Sequence, residues 1–131
     1  MLFHTFHSQE ERRSFGGSAF IEIQFCKVKP ETKIKKLVDI RSINNWQTDS
    51  IYVYADDIEV FDKEYSNIFN CGIYNNLKSG LVDLFGINYY SSDMIEIIIA
   101  KILNNKPTDY EILVEWLNIA RLFNGFYILG I

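Results

Sequence analysis

Residues 18–28, SAFIEIQFCKV, restrict the fold more than any other stretch. Ala19, Ile21, Ile23 and Phe25 fall on one side of an extended chain, and Glu22 and Gln24 fall on the other. Period-two alternation of this kind describes a strand with one covered face and one wetter face. Such strands belong to antiparallel sheets more than to parallel sheets covered on both sides. A chain of 131 residues, 48% hydrophobic and 15% aromatic, has the material for one continuous core. No linker, repeat or low-complexity tract divides it. The expectation is a single α+β domain over residues 1–131. Its sheet is antiparallel or mixed, with five or six strands, and three or four helices lie mainly on one face.

The remaining elements follow from local pattern. Residues 2–7 alternate weakly, as a first strand would. Gly16-Gly17 marks a turn. Ile34, Leu37 and Val38 give an apolar stripe to a helix over residues 31–40. Residues 51–55, IYVYA, are a short strand. A helix starting at Asp56 or Asp57 then turns Val60 or Phe61, Glu64 or Tyr65, and Ile68 inward. Residues 70–90 hold three of the seven glycines, four asparagines and three tyrosines, which suits tight turns around short strands at 81–84 and 87–90. Ile95, Ile98, Ile99 and Ile102 recur at helical spacing after a Ser91-Ser92-Asp93 start. Thr108 and Glu111 have capping-box spacing ahead of a helix that closes at Asn124-Gly125. Residues 126–131, FYILGI, form a last strand docked in the sheet. Trp46 lies in a loop, where it serves as a lid over the core edge or as a contact residue.

The chain has a net charge of −4 and a pI near 5.1. This balance argues against nucleic acid or an anionic membrane as a direct partner and suits a basic protein partner. Charge is unevenly spread. Residues 49–64 carry six carboxylates against one lysine, a local net of −5, and residues 27–41 carry six cations against two carboxylates, a local net of +4. Either the two segments form solvated faces that pair with each other, or the acidic one receives a basic partner.

Several chemistries find no support. No run approaches the about 18 apolar residues of a membrane span. The Arg12-Arg13 pair precedes an alternating strand rather than an export core. Cys26 and Cys71 are expected to be reduced thiols in a cytoplasmic protein. His4 and His7, three apart on a strand, face opposite ways and are poorly placed to share a metal, so no metal or cofactor is expected. No phosphate loop, dinucleotide fingerprint, paired CxxC or HExxH occurs. A small carboxylate-dependent enzyme using Asp56, Asp57 or Asp83 is the alternative reading. A self-associating structural module, with a homodimer as its simplest form, is another.

Two runs, GIYNNLKSGLVDLFGINYY (residues 72–90) and NGFYILGI (residues 124–131), resemble small bacterial immunity proteins of polymorphic or contact-dependent growth-inhibition toxin systems. The likeness covers the chain from Tyr54 onward and rests on a pattern of Gly, Asn and aromatic residues. It implies a cytosolic, non-enzymatic inhibitor that binds a cognate toxin domain, often a nuclease. A phosphate-gripping nuclease surface is basic, so contacts are expected to centre on Asp56, Asp57, Glu59, Asp62 and Glu64. Tyr74, Asn75, Asn76, Tyr89 and Tyr90 are expected as their neighbours.

Overall fold

The computed structural model describes residues 1–17 and 19–131. The strand expected over 18–28 is β1 (Phe20–Phe25), and its expected start at Ser18 lies outside the described residues. The other strands are β2 (Ile51–Tyr54), β3 (Gly72–Tyr74), β4 (Ser79–Gly80), β5 (Ile87–Tyr90) and β6 (Phe126–Leu129). They form one six-stranded sheet in the order β2-β1-β6-β5-β3-β4, with every neighbouring pair antiparallel. The terminal apolar strand β6 is central. It pairs Phe126 with Phe25 on one side and with Tyr90 on the other, and so joins the two halves of the chain. Gly125 permits this entry with φ of 79°. A Cβ there would meet the Tyr90 carbonyl oxygen at 2.1 Å.

Among the described residues, five α-helices pack about the sheet: α1 (Gln9–Gly16), α2 (Ile34–Leu37), α3 (Ile58–Tyr65), α4 (Ser92–Asn105) and α5 (Tyr110–Ala120). The α+β class, the strand number and the placing of the longer helices on one face agree with the sequence. Under α3, α4 and α5 lies the main core. Ile21, Ile23, Phe25, Val53, Phe126 and Ile128 meet Phe61, Tyr65, Ile98, Ile102 and Leu117 there. Each such side chain contributes about 1.5–3 kcal/mol by leaving water. Phe25 and Trp116 stack at 4.1 Å between ring centres, and the Trp116 indole N–H donates to the Asp49 carbonyl at 2.9 Å.

The second face is not wet, which corrects the reading of β1. Glu22 and Gln24 are 5% and 3% exposed. Leu37 and Val38 cover Tyr89, Tyr127 and Leu129 on one part of this face. Phe6, Trp46 and Tyr54 gather around Phe20 and Tyr52 on another, with Phe15 of α1 against them.

Five local readings change. Residues 2–7 contribute only a bridge, His4 with Tyr52, that closes the β2 edge. The helix expected over 31–40 shortens to one turn, followed by a 3-10 turn at Ile40–Ser42 in which the Arg41 N–H donates to the Asp39 carboxylate. Residues 81–84 form a turn rather than a strand, because the Asn88 side chain binds both the N–H and the carbonyl of Asp83. The capping box does not form. The Thr108 hydroxyl donates to Glu64 at 2.8 Å, and Asp109, in a left-handed conformation, is the cap residue of α5. That helix ends at Ala120, four residues before Asn124.

Candidate functional site

The acidic segment leaves the sheet at the end of β2, turns through a 3-10 stretch at Ala55–Asp57 and runs into α3. Phe61 and Tyr65 are the buried residues of α3, which turns Glu59 and Asp62 outward. Asp56 is exposed as well, and Asp57 is half-buried. No ion pair reaches Asp56, Asp57, Glu59 or Asp62 among the described residues. Acidic and basic segments touch through one pair only, Lys27 with Asp49 at 2.8 Å. The other pair involving the basic segment, Arg41 with Asp39, is internal to it. Arg41 draws the Asp39 carboxyl down to about 2 through its hydrogen bonds, with Arg41 exposed and Asp39 half-buried. The two charge-rich segments therefore remain largely segregated instead of neutralising each other.

Glu64 differs from its neighbours. Its carboxylate accepts the Thr108 N–H and hydroxyl, tying α3 to the start of α5. Tyr65 adds a bond from its hydroxyl to the Thr108 carbonyl at 2.6 Å.

The tyrosine and asparagine neighbours divide into two groups. Asn75 and Asn76 are exposed in the turn between β3 and β4, and Tyr74 is half-buried beside them with its hydroxyl donating to the Leu81 carbonyl. Tyr89 and Tyr90 are core residues, 2% and 0% exposed, which corrects their place in the expected contact set. The physical reason is strand pairing. β5 lies inside the sheet, so Tyr89 is covered against Tyr127 on one face while Tyr90 stacks on Phe126 on the other. Burial pushes both phenols above the ordinary range. The Tyr74 turn also lies four strands from β2 in the sheet order, about 19 Å away at ordinary strand spacing. The structure thus keeps the carboxylates together and does not bring the tyrosines to them.

A polar centre that the sequence reading missed lies on the second face. The Glu22 carboxylate accepts the Trp46 N–H at 2.6 Å, the Gln47 N–H at 3.0 Å, the Ser50 hydroxyl at 2.7 Å and the Gln24 amide at 3.0 Å. It therefore anchors the loop over residues 44–50 to β1 and positions Trp46 on Tyr52, ring centres 5.4 Å apart. Trp46 is the lid of that loop, held with φ of 72°. Next to this centre the Arg12 guanidinium lies 5.4–5.8 Å from the centres of the Trp46, Phe20 and Tyr52 rings. Its Nε is buried and has no hydrogen-bond partner among the described residues. Arg12, Glu22, Asn45 and Gly130 line a cleft of about 270 Å³ there. The sequence signal for this centre was a carboxylate and an amide two apart within an otherwise apolar strand.

Asp83 builds a turn by accepting the Phe85 N–H at 3.0 Å. It lies between β4 and β5, away from Asp56 and Asp57, which follow β2. Cys26 is buried with its thiol against the Tyr127 hydroxyl, and Cys71 is half-buried with its pKa raised by burial. Both are free thiols. No cluster of metal-ligating side chains and no helix long and apolar enough to cross a membrane occurs among the described residues. No family model, no curated protein and no solved structure matches the chain.

Proposed function

We propose that this chain is a non-enzymatic immunity protein of the cytoplasm. It binds a cognate toxin domain with a basic surface, and it neutralises that domain through the acidic face of α3. The observation that carries the reading is the group Asp56, Asp57, Glu59 and Asp62: four carboxylates within seven residues, none in an ion pair among the described residues. Like charges held together on a surface repel one another, and a basic partner removes that repulsion while being steered toward it. The Gly/Asn/aromatic likeness of residues 72–90 and 124–131 supplies the class of protein. Glu64 serves the contact indirectly, by fixing α3 against α5. The Tyr74–Asn75–Asn76 turn is an exposed surface at the other end of the sheet, so it belongs to the same interface only if the toxin spans both.

The double charge reversal Asp57→Lys with Asp62→Lys tests this surface in stopped-flow association with the product of the gene directly upstream, which this reading expects to be a toxin domain. The on-rate at low salt should fall about tenfold and its salt dependence should flatten. Thermal stability should stay nearly unchanged, because neither carboxylate is buried in the core. An unchanged on-rate at low salt would make α3 a solvated face and place the interface elsewhere.

A further inference from the structure

A second binding surface lies on the other face of the sheet, and we infer that it takes an acidic protein segment carrying one apolar anchor side chain. Ile40 and Phe85 are 70% and 77% exposed and stand on either side of a cleft of about 180 Å³ whose walls include Ile87 and Leu129. Exposed apolar residues scattered singly are ordinary. Two that flank a common apolar cleft form a receptacle for a third side chain.

Cations adjoin this cleft on both sides. Ile40 opens the 3-10 turn Ile40–Ser42, whose Arg41 and Ser42 line a broad groove of about 720 Å³ together with Lys33, Lys35 and Lys36. Asp39 neutralises Arg41 at 2.7 Å, whereas the three lysines are in no ion pair among the described residues. On the other side, Asn45, Leu129 and Gly130 are shared with the cleft that holds Arg12. The Arg12 guanidinium has aromatic rings against it, and its Nε has no acceptor among the described residues. The Glu22 carboxylate lines the same cleft and offsets the Arg12 charge, so the free positive charge beside the apolar cleft is that of the lysines.

The surface is thus apolar in the middle and positive at the lysine end. Its complement is an aliphatic or aromatic side chain with carboxylates on one side of it. An apolar anchor in a pocket with charges at the rim is the general pattern of a protein contact. Nucleic acid is disfavoured by the net charge of −4 and by the apolar centre. This inference is independent of the acidic face of α3, and the two fail separately.

The test uses the full chain against a phage-displayed library of random twelve-residue peptides, followed by fluorescence anisotropy of the best synthetic peptide. Enriched peptides should carry a Leu, Ile, Phe or Met with Asp or Glu on one side of it. Affinity should fall about tenfold or more for Ile40→Ser with Phe85→Ser, and similarly for Lys35→Glu with Lys36→Glu. All four positions are exposed, so these variants should melt as the parent does. Asp57→Lys with Asp62→Lys should leave peptide binding unchanged. Any of four results would overturn the inference: no acidic enrichment, equal binding by the four-position variants, tighter binding of a labelled dT12 oligonucleotide, or concentration-dependent self-association lost in the same variants. The last would make the occupant a second copy of this chain.

Discussion

Replacing Glu22 with leucine removes the buried carboxylate while keeping a side chain of similar size. Five donors lose an acceptor, and the Tyr52 hydroxyl among them retains the Gln47 carbonyl at 2.7 Å. The Gln47 N–H retains the Tyr52 hydroxyl at 3.2 Å, and the Gln24 amide retains the Asn44 carbonyl at 2.5 Å. The Trp46 N–H has no second acceptor among the described residues, and the Ser50 hydroxyl, on a fully buried residue, has none either. A buried donor left unmet costs about 1–3 kcal/mol, so the two together cost about 4 kcal/mol. The added apolar burial offsets about 1 kcal/mol of this. The net loss of about 3 kcal/mol should lower Tm by about 12 °C for a domain of this size. Glu22→Gln keeps one acceptor oxygen but turns an N–H₂ toward donors, and should lose about 2 kcal/mol. Urea unfolding followed by Trp fluorescence reports both, because Trp46 sits on the loop that is released. A leucine variant within about 0.5 kcal/mol of the parent would refute the claim that the carboxylate holds the loop over residues 44–50 to β1.

Three further outcomes follow from single groups. The Tyr90 hydroxyl is buried without a partner among the described residues, so Tyr90→Phe should leave stability unchanged or raise it by about 1 kcal/mol. Tyr127→Phe, which loses a bond of 2.6 Å to the Leu37 carbonyl, should cost about 1 kcal/mol in the same urea titration, and equal effects would contradict the assignment. Burial and the nearby N-terminal charge lower the His4 pKa below 6.5, against the raising fields of Asp57 and Asp109. The folded state then binds fewer protons than the unfolded state. The contribution of His4 is complete above pH 6.5 and is lost as pH falls through the lowered folded value. His4→Phe should lose less Tm than the parent between pH 7 and pH 5, and identical losses would exclude His4 as the cause.

The parts of this fold that were legible in the sequence are those whose signal is local. β1 shows its alternation, α4 its isoleucine spacing and β6 its apolar run, and each forms where its pattern lies. The burial of Glu22 was not legible, because the segment that covers it lies more than twenty residues away and carries no periodicity of its own. Residues 81–84 read as apolar and extended, yet an asparagine side chain five residues from Asp83 sets their turn. Thr108 has the spacing of a cap, but Glu64, forty-four residues earlier, takes its hydroxyl. The charge segregation of the candidate site was visible from composition along the chain. The inward turn of Tyr89 and Tyr90 was not, since it depends on which strands flank β5.

The proposed function is tested most directly by survival. Cells expressing the product of the gene directly upstream, which this reading expects to be a toxin domain, are plated with and without this chain, and with the Asp57→Lys, Asp62→Lys variant. Colony counts should be restored by the parent chain and markedly less by the variant at equal expression. Counts that stay low with the folded parent chain present would contradict the immunity reading itself.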